Sequence, residues 1–278
     1  MISLALLTRR TEKMEYLSKE LNVVLEAVEE VGQQIMNIYN SDYQVELKAD
    51  ESPLTKADKL SHDLLISRLS TFPYGIISEE SENIPGSMSN VYWVIDPLDG
   101  TSDFIQKTDE FSIMVALLKD GRPVLGVVYA PALDKLWYAL DGKGAYMIEN
   151  NAERRIYTSE IKDLKDYRFV ISRNHFRQED MDVANRLGIT DFRKMGSVGV
   201  KFCRISQGLA ELCVYKTSKM GLWDDCASHV ILKEAGGHVF DVNGEEPSYN
   251  LCSRKMESGF IGTNGYNKKP IIEAVKSL

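Results

Sequence analysis

Asp96-Pro97-Leu98-Asp99-Gly100-Thr101 gathers two carboxylates and a hydroxyl at the end of the hydrophobic run Val91-Tyr92-Trp93-Val94-Ile95. Pro97 removes an N–H and fixes φ, and Gly100 lets the main chain come close to a ligand, leaving the Gly100 and Thr101 amides free to bind an anion. Asp, a main-chain carbonyl and Asp are hard oxygen donors suited to Mg²⁺. The same letters also make an ordinary surface turn, because Asp, Pro and Gly are common turn residues. Two further acid pairs shift the balance toward chemistry. Glu79-Glu80 follow the run Gly75-Ile76-Ile77-Ser78, and Asp224-Asp225 stand at the start of an expected helix. Each alone has a plain explanation, Asp224 as a helix cap and Glu79 as a solvated loop residue. Carboxylates gathered in one site repel one another and rise in pKa unless cations neutralise them. Two Mg²⁺ ions would roughly balance Glu79, Asp96, Asp99 and Asp224 and leave room for a bridging phosphate dianion. That combination is a phosphoesterase site.

The elements that must position these groups follow from periodicity. Leu17, Leu21, Val24, Leu25, Val28, Val31, Ile35 and Ile38 recur at helical spacing, which predicts a long amphipathic helix over about 14–39. A second helix starts at Thr55, with Asp58 in its electropositive first turn and Leu64, Leu65 and Leu69 as its buried stripe. Ser112 to Leu118 and Val124 to Tyr129 flank Asp120-Gly121, and Leu136 to Leu140 and Gly144 to Ile148 flank Asp141-Gly142. These are hairpin signals and imply an antiparallel sheet. Beyond about residue 150 the chain alternates: strand 169–171, helices about 178–187 and 198–208, strand 212–215, helix about 224–235, strands 238–242 and 260–262, helix 267–277. The expectation is an α+β half over 14–148, carrying most of the metal ligands, and an α/β half over 149–278 with the substrate loops and Asp224. Residues 1–13 are an expected N-terminal extension.

Composition excludes several classes. With 41 acidic against 33 basic residues the 278-residue chain carries a formal charge of -8, which opposes extended contact with nucleic-acid polymers or anionic membranes. No apolar run approaches the ~20 residues of a membrane span. Ile2 to Leu7 is too short for a signal-peptide core and is followed by Arg9-Arg10. Cys203, Cys213, Cys226 and Cys252 have no C-x-x-C spacing and read as reduced thiols of a cytoplasmic protein.

Glu79-Glu80-Ser81, Asp96-Pro97-Leu98-Asp99-Gly100-Thr101 and Trp223-Asp224 through Glu234-Ala235-Gly236-Gly237 together resemble the motif set of the inositol monophosphatase superfamily of Mg²⁺-dependent, lithium-sensitive phosphatases, from about residue 14 onward. The resemblance implies a layered αβαβα sandwich with the active site between the halves. It implies that Glu79, Asp96, the Leu98 carbonyl, Asp99 and Asp224 hold two or three Mg²⁺ ions per site, and that Thr101, paired with Asp58, orients and deprotonates the attacking water. That chemistry is sensible: a metal acidifies the water, hydroxyl and carboxylate receive the proton, and a second metal steadies the leaving alkoxide. No covalent phosphoenzyme is required.

Within the superfamily, Lys48-Ala49-Asp50, Ser52 to Asp58 and Ser172-Arg173-Asn174-His175 are similar to the 3'(2'),5'-bisphosphate nucleotidase (CysQ-like) branch. A second substrate phosphate needs cations away from the metals. Lys201, near the start of a helix in Gly196-Ser197-Val198-Gly199-Val200-Lys201, and Lys216, after a strand, are the candidates, with Gly100, Thr101, His175 and Ser197 completing the substrate contacts. The alternative for both lysines is solvated surface charge. Nucleotidases often place Ser three residues before the loop Lys; this chain has Val198 there, and Ser197 or main-chain amides would substitute. Thr217 stands where inositol monophosphatases carry a Glu for a sugar hydroxyl, which argues against inositol. The resemblance thus implies hydrolysis of 3'-phosphoadenosine 5'-phosphate to AMP, clearing a by-product of sulfate assimilation, by a monomer or homodimer. Inositol or fructose phosphates on the same metals, and a non-catalytic metal-binding module, are the alternatives.

Overall fold

The computed structural model describes residues 18–41, 45–47, 53–81, 90–216, 220–247, 249, 254–256 and 259–277. Residues 1–17, Lys48 to Ser52, Thr217 and Cys252, on which several expectations fell, lie outside the described residues. The first half contains α1 (Ser18–Tyr39), β1 (Val45–Leu47), β2 (Pro53–Thr55), α2 (Lys56–Leu69), β3 (Gly75–Ser78), β4 (Val91–Asp99) and α3 (Thr101–Ile105). Then come β5 (Ser112–Lys119), β6 (Arg122–Ala130), β7 (Lys135–Leu140), β8 (Gly144–Glu149) and β9 (Ala152–Ile156). The second contains β10 (Arg168–Ser172), α4 (Gln178–Leu187), β11 (Asp191–Met195), α5 (Val198–Ser206), β12 (Leu212–Tyr215), α6 (Cys226–Glu234), β13 (His238–Phe240), β14 (Phe260–Thr263) and α7 (Lys268–Lys276).

β3 to β9 form one seven-stranded sheet in sequence order, antiparallel throughout except for the parallel pair β3/β4. The second sheet has the order β11-β10-β12-β14-β13. Strand alternation assigns the faces. Trp93, Ile95, Val115 and Leu117 meet the stripe Leu21, Val24, Leu25, Val28, Val31 and Ile35 of α1, together with Leu65 and Leu69 of α2. Tyr92, Val94, Met114, Ala116 and Val128 point the other way, onto Val200, Phe202 and Cys203 of α5 and Val230 and Ile231 of α6. Those helices also meet Val170, Cys213 and Phe260 of the second sheet. Its far face carries Phe169, Ile171, Leu212 and Ile261 against Val183 and Leu187 of α4 and Ile271 and Val275 of α7. The layers are therefore helices, sheet, helices, sheet, helices: the expected αβαβα sandwich. Burying one such aliphatic or aromatic side chain contributes roughly 1.5–3 kcal/mol, so the shared middle layer binds the halves firmly.

Three local expectations change. β4 does not end at Ile95 in a tight turn; it runs to Asp99 through an irregularity in its pairing with β5. β9 (AERRI) extends the first sheet past residue 148, and β11 (DFRKM) edges the second; both are polar and largely exposed, so no apolar alternation announced them. The α6 helix begins at Cys226, leaving Asp224 in the preceding turn and Asp225 as N-cap. Among the described residues no helix is long and apolar enough to cross a membrane. Cys203, Cys213 and Cys226 are free and buried.

Candidate active site

Parallel pairing of β3 and β4, with Ser78 opposite Ile95, ends both strands at the same margin of the sheet. The Glu79 N–H continues the ladder to the Ile95 carbonyl at 3.1 Å. Glu79 therefore stands beside Asp96, and their side chains share a hydrogen bond. Past Asp96 the register slips: Asp96 lies opposite Met114 and Asp99 opposite Ser112, so Pro97 and Leu98 face one β5 residue. A bulge tolerates the N–H that Pro97 lacks and re-aims the following side chains. The Asp96 Oδ1 accepts the Leu98 N–H at 3.0 Å inside it. Gly100 then takes φ +88°, and a Cβ there would stand 3.1 Å from the Glu110 carbonyl oxygen and 3.2 Å from the Ser197 nitrogen. Only glycine fits both requirements.

Helix α2 supplies the second group. Thr55 and Asp58 form a capping box: Thr55 Oγ1 accepts the Ala57 N–H at 3.1 Å, and Asp58 Oδ2 accepts the Thr55 N–H at 2.6 Å and its hydroxyl at 2.7 Å. Asp58 Oδ1 is left to accept the Thr101 hydroxyl at 3.0 Å, the pairing expected from the motifs. Ser61 and His62, on the same face of α2, bind the Pro97 carbonyl at 2.6 Å and the Ser78 hydroxyl at 2.9 Å. One helix face thus ties β3, the bulge and Thr101 together. Burial pushes the Asp58 carboxyl up, against the lowering effect of its three hydrogen bonds.

Asp99 turns toward the second half. Its Oδ2 accepts the Ser197 hydroxyl at 2.5 Å and the Gly199 N–H at 2.8 Å, and its Oδ1 accepts the Val198 N–H at 3.1 Å. A carboxylate on the first turn of α5 is favoured by the orphan amides and the helix dipole. Asp224 comes from a turn in which its Oδ2 accepts the Gly221 N–H at 2.5 Å. Asp96 is raised well above its ordinary value, first by burial and then by Glu79, Asp99 and Asp224. Asp224 is raised likewise by burial and by Glu79 and Asp99. Four mutually repelling acids in a buried place are the donor chemistry that Mg²⁺ relieves, so the set fits the cation. Asp96, Asp99 and Asp224 each give an oxygen to a main-chain N–H, and among the described residues no three His, Cys, Asp or Glu side chains are grouped so as to hold a metal.

The substrate candidates divide. Gly100, Thr101 and Ser197 lie together at the junction of the halves. Ser197 takes φ +44° as N-cap of α5, its oxygen accepting the Val200 N–H. Lys201 is 1% exposed, so it is not solvated surface charge; its ammonium donates to the Met195 and Gly196 carbonyls at 3.2 and 2.8 Å. His175 is exposed after β10, and Lys216 follows β12 with its carbonyl accepting from Arg177 at 3.2 Å.

Residues 17–278 match the Inositol monophosphatase family. The chain belongs to this family. It is therefore an enzyme of the phosphatase class, with strong homology to the CysQ branch. It is 33% identical over 246 residues to the 3'(2'),5'-bisphosphate nucleotidase CysQ of Aggregatibacter actinomycetemcomitans, covering 87% of this chain and 91% of that protein. Among solved structures, the extragenic suppressor protein suhB of Bartonella henselae superposes with a TM-score of 0.81 at 25% identity, over 93% of this chain and 99% of that one. CysQ of Bacteroides thetaiotaomicron, an inositol monophosphatase family member, gives 0.74 at 26% identity over 90% and 99%.

Several residues around this family site carry no sequence signal of their own. Arg173 bridges Asp103 and Glu110, the latter at 2.6 Å, and Glu110 accepts the Gly196 N–H at 2.8 Å. This brace holds the Gly196-Ser197 loop against Asp99. Arg173 stands in the Ser172–His175 tract, but no local pattern marks Asp103 and Glu110, because they and Arg173 lie more than 60 residues apart.

Proposed function

We propose that the chain is a Mg²⁺-dependent 3'(2'),5'-bisphosphate nucleotidase that hydrolyses 3'-phosphoadenosine 5'-phosphate to AMP and phosphate. The observation that carries the chemistry is the Thr101 hydroxyl donating to the buried Asp58 beside Asp96 and Asp99. Glu79, Asp96, the Leu98 carbonyl, Asp99 and Asp224 are the groups that would hold Mg²⁺, which when bound supplies Lewis acidity to the attacking water and to the departing alkoxide. Thr101 orients that water through its hydroxyl oxygen and hands the proton on to Asp58, whose oxygens Thr55 keeps in place. Asp99 fixes the α5 amide turn at the site's border, where a phosphate oxygen would find Ser197 and the Gly100 main chain. The nucleotide preference is supported by the CysQ relatives and by the Ser172–His175 tract.

A second reading, an inositol phosphate substrate, is favoured by the higher structural likeness to the IMPase of Thermotoga maritima, with a TM-score of 0.80 at 28% identity over 93% of this chain and 97% of that one, than to the Bacteroides CysQ. Phosphate release with Mg²⁺, with and without chelator, from 3'-phosphoadenosine 5'-phosphate, AMP, inositol 1-phosphate and fructose 1,6-bisphosphate decides between them. Chelator-sensitive turnover of the bisphosphonucleotide well above the rest is the expected result. Preference for inositol 1-phosphate replaces the first reading by the second.

A further inference from the structure

Arg254 touches both halves of the site. Its Nη2 donates to the Ser78 and Glu79 carbonyls at 2.8 and 3.0 Å, and its Nη1 donates to the Ser81 carbonyl. Those carbonyls define the turn that carries Glu79. The same guanidinium lies over the Trp223 indole, 4.9 Å from the ring centroid. Trp223 in turn folds onto Gly221, where a Cβ would stand 2.3 Å from the ring. Gly221 gives its N–H to Asp224. The main chain around Arg254 is also paired to this turn: Gly221 bridges Lys255, Leu222 donates to the Arg254 carbonyl at 3.0 Å, and Met256 donates to Met220 at 2.8 Å.

We infer that Arg254 is a positioning residue that sets Glu79 and Asp224 against each other across the two halves, and so sets the affinity of the site for Mg²⁺. This rests on reading those two carboxylates as metal ligands. A planar guanidinium can serve three carbonyls and an aromatic face at once; a lysine ammonium is a single point with no stacking plane. Partners that orient ligands without binding the metal set its affinity.

The test titrates Mg²⁺ into the substrate-free full chain, read by calorimetry and by indole emission. Trp93 and Trp137 are buried in the first sheet, so W223F identifies the emission that responds to the site. R254A should weaken Mg²⁺ binding by about tenfold to a hundredfold, with R254K close behind and added guanidinium ion recovering part of the loss. A residue serving the fold alone would lower the melting temperature in chelator and leave Mg²⁺ binding unchanged; that result in R254A overturns the inference. Should R254A fail to fold, wild-type Mg²⁺ binding in R254K overturns it instead. A wild-type chain that takes up no Mg²⁺ overturns the metal reading and this inference together, whereas normal uptake in both variants overturns the inference alone.

Discussion

Asp58 accepts the Thr101 hydroxyl at 3.0 Å with one oxygen while Thr55 occupies the other at 2.6 and 2.7 Å. The capping box that starts α2 is thereby also the device that aims a proton acceptor, and helix stability and catalysis share one carboxylate. T101A leaves the cap untouched. It should lower kcat about 10²–10⁴-fold with little change in KM or melting temperature, and T101S should recover most of the rate. Steady-state kinetics beside thermal melts check this; a normal kcat in T101A removes Thr101 from the proton path.

Asp96 and Asp99 should respond differently to the same change. D96N replaces an acid that burial and its acidic neighbours keep from ionising by a neutral amide of the same shape, and keeps an acceptor for the Leu98 N–H. Its melting temperature in chelator should rise, by roughly 2–4 °C for each kcal/mol relieved, while stabilisation by Mg²⁺ disappears. In D99N an amide NH₂ must face either the Val198 or the Gly199 N–H, so stability should fall by about 1–3 kcal/mol. Equal melting behaviour in the two variants would contradict the geometry.

The metal-free protein should lose stability as pH rises from 6.5 through about 7. Burial holds Asp96 and Asp224 well above their ordinary value and Asp225 at about 7, so the native state keeps protons that the unfolded chain has already lost. Stability from a raised carboxyl is fully present below its unfolded value of 3.8, falls as pH climbs from there, and is gone once pH passes the folded value. His229, buried and lowered to about 4, acts in the opposite sense, but only between that value and 6.5, since above 6.5 it is neutral in both states. Melts in chelator should therefore fall above pH 6.5, D225N should flatten the part below about 7, and saturating Mg²⁺ should remove most of the remaining slope. A melting temperature that rises with pH in chelator would refute the assignment.

Lys201 is expected to act as an internal brace. K201M removes the ammonium that donates to the Gly196 carbonyl and, beside the Arg173 N–H, to the Met195 carbonyl, and should destabilise the chain by about 1–3 kcal/mol. If Lys201 instead bound the second phosphate, KM for the bisphosphonucleotide would rise with the melting temperature unchanged. Comparing the two readouts in one variant settles the role.

The sequence by itself determined the groups and most of the elements. Thr55-x-x-Asp58 caps α2, Asp120-Gly121 and Asp141-Gly142 turn hairpins, and Asp96 to Thr101 follow a hydrophobic strand, because each is a relation between residues a few positions apart with its own steric or hydrogen-bonding cause. Edge strands β9 and β11 escaped, since a strand that buries little needs no apolar alternation. Only the tertiary structure decided how the groups meet. Parallel pairing of β3 with β4 brings Glu79 beside Asp96; the bulge at Pro97 swings Asp99 onto α5, almost a hundred residues later; Lys201 is folded inward; and Arg254 joins the Glu79 turn to Trp223. Such contacts depend on how two sheets stack on a shared helix layer. No local pattern encodes them, because the free energy that selects them is the burial of that whole layer.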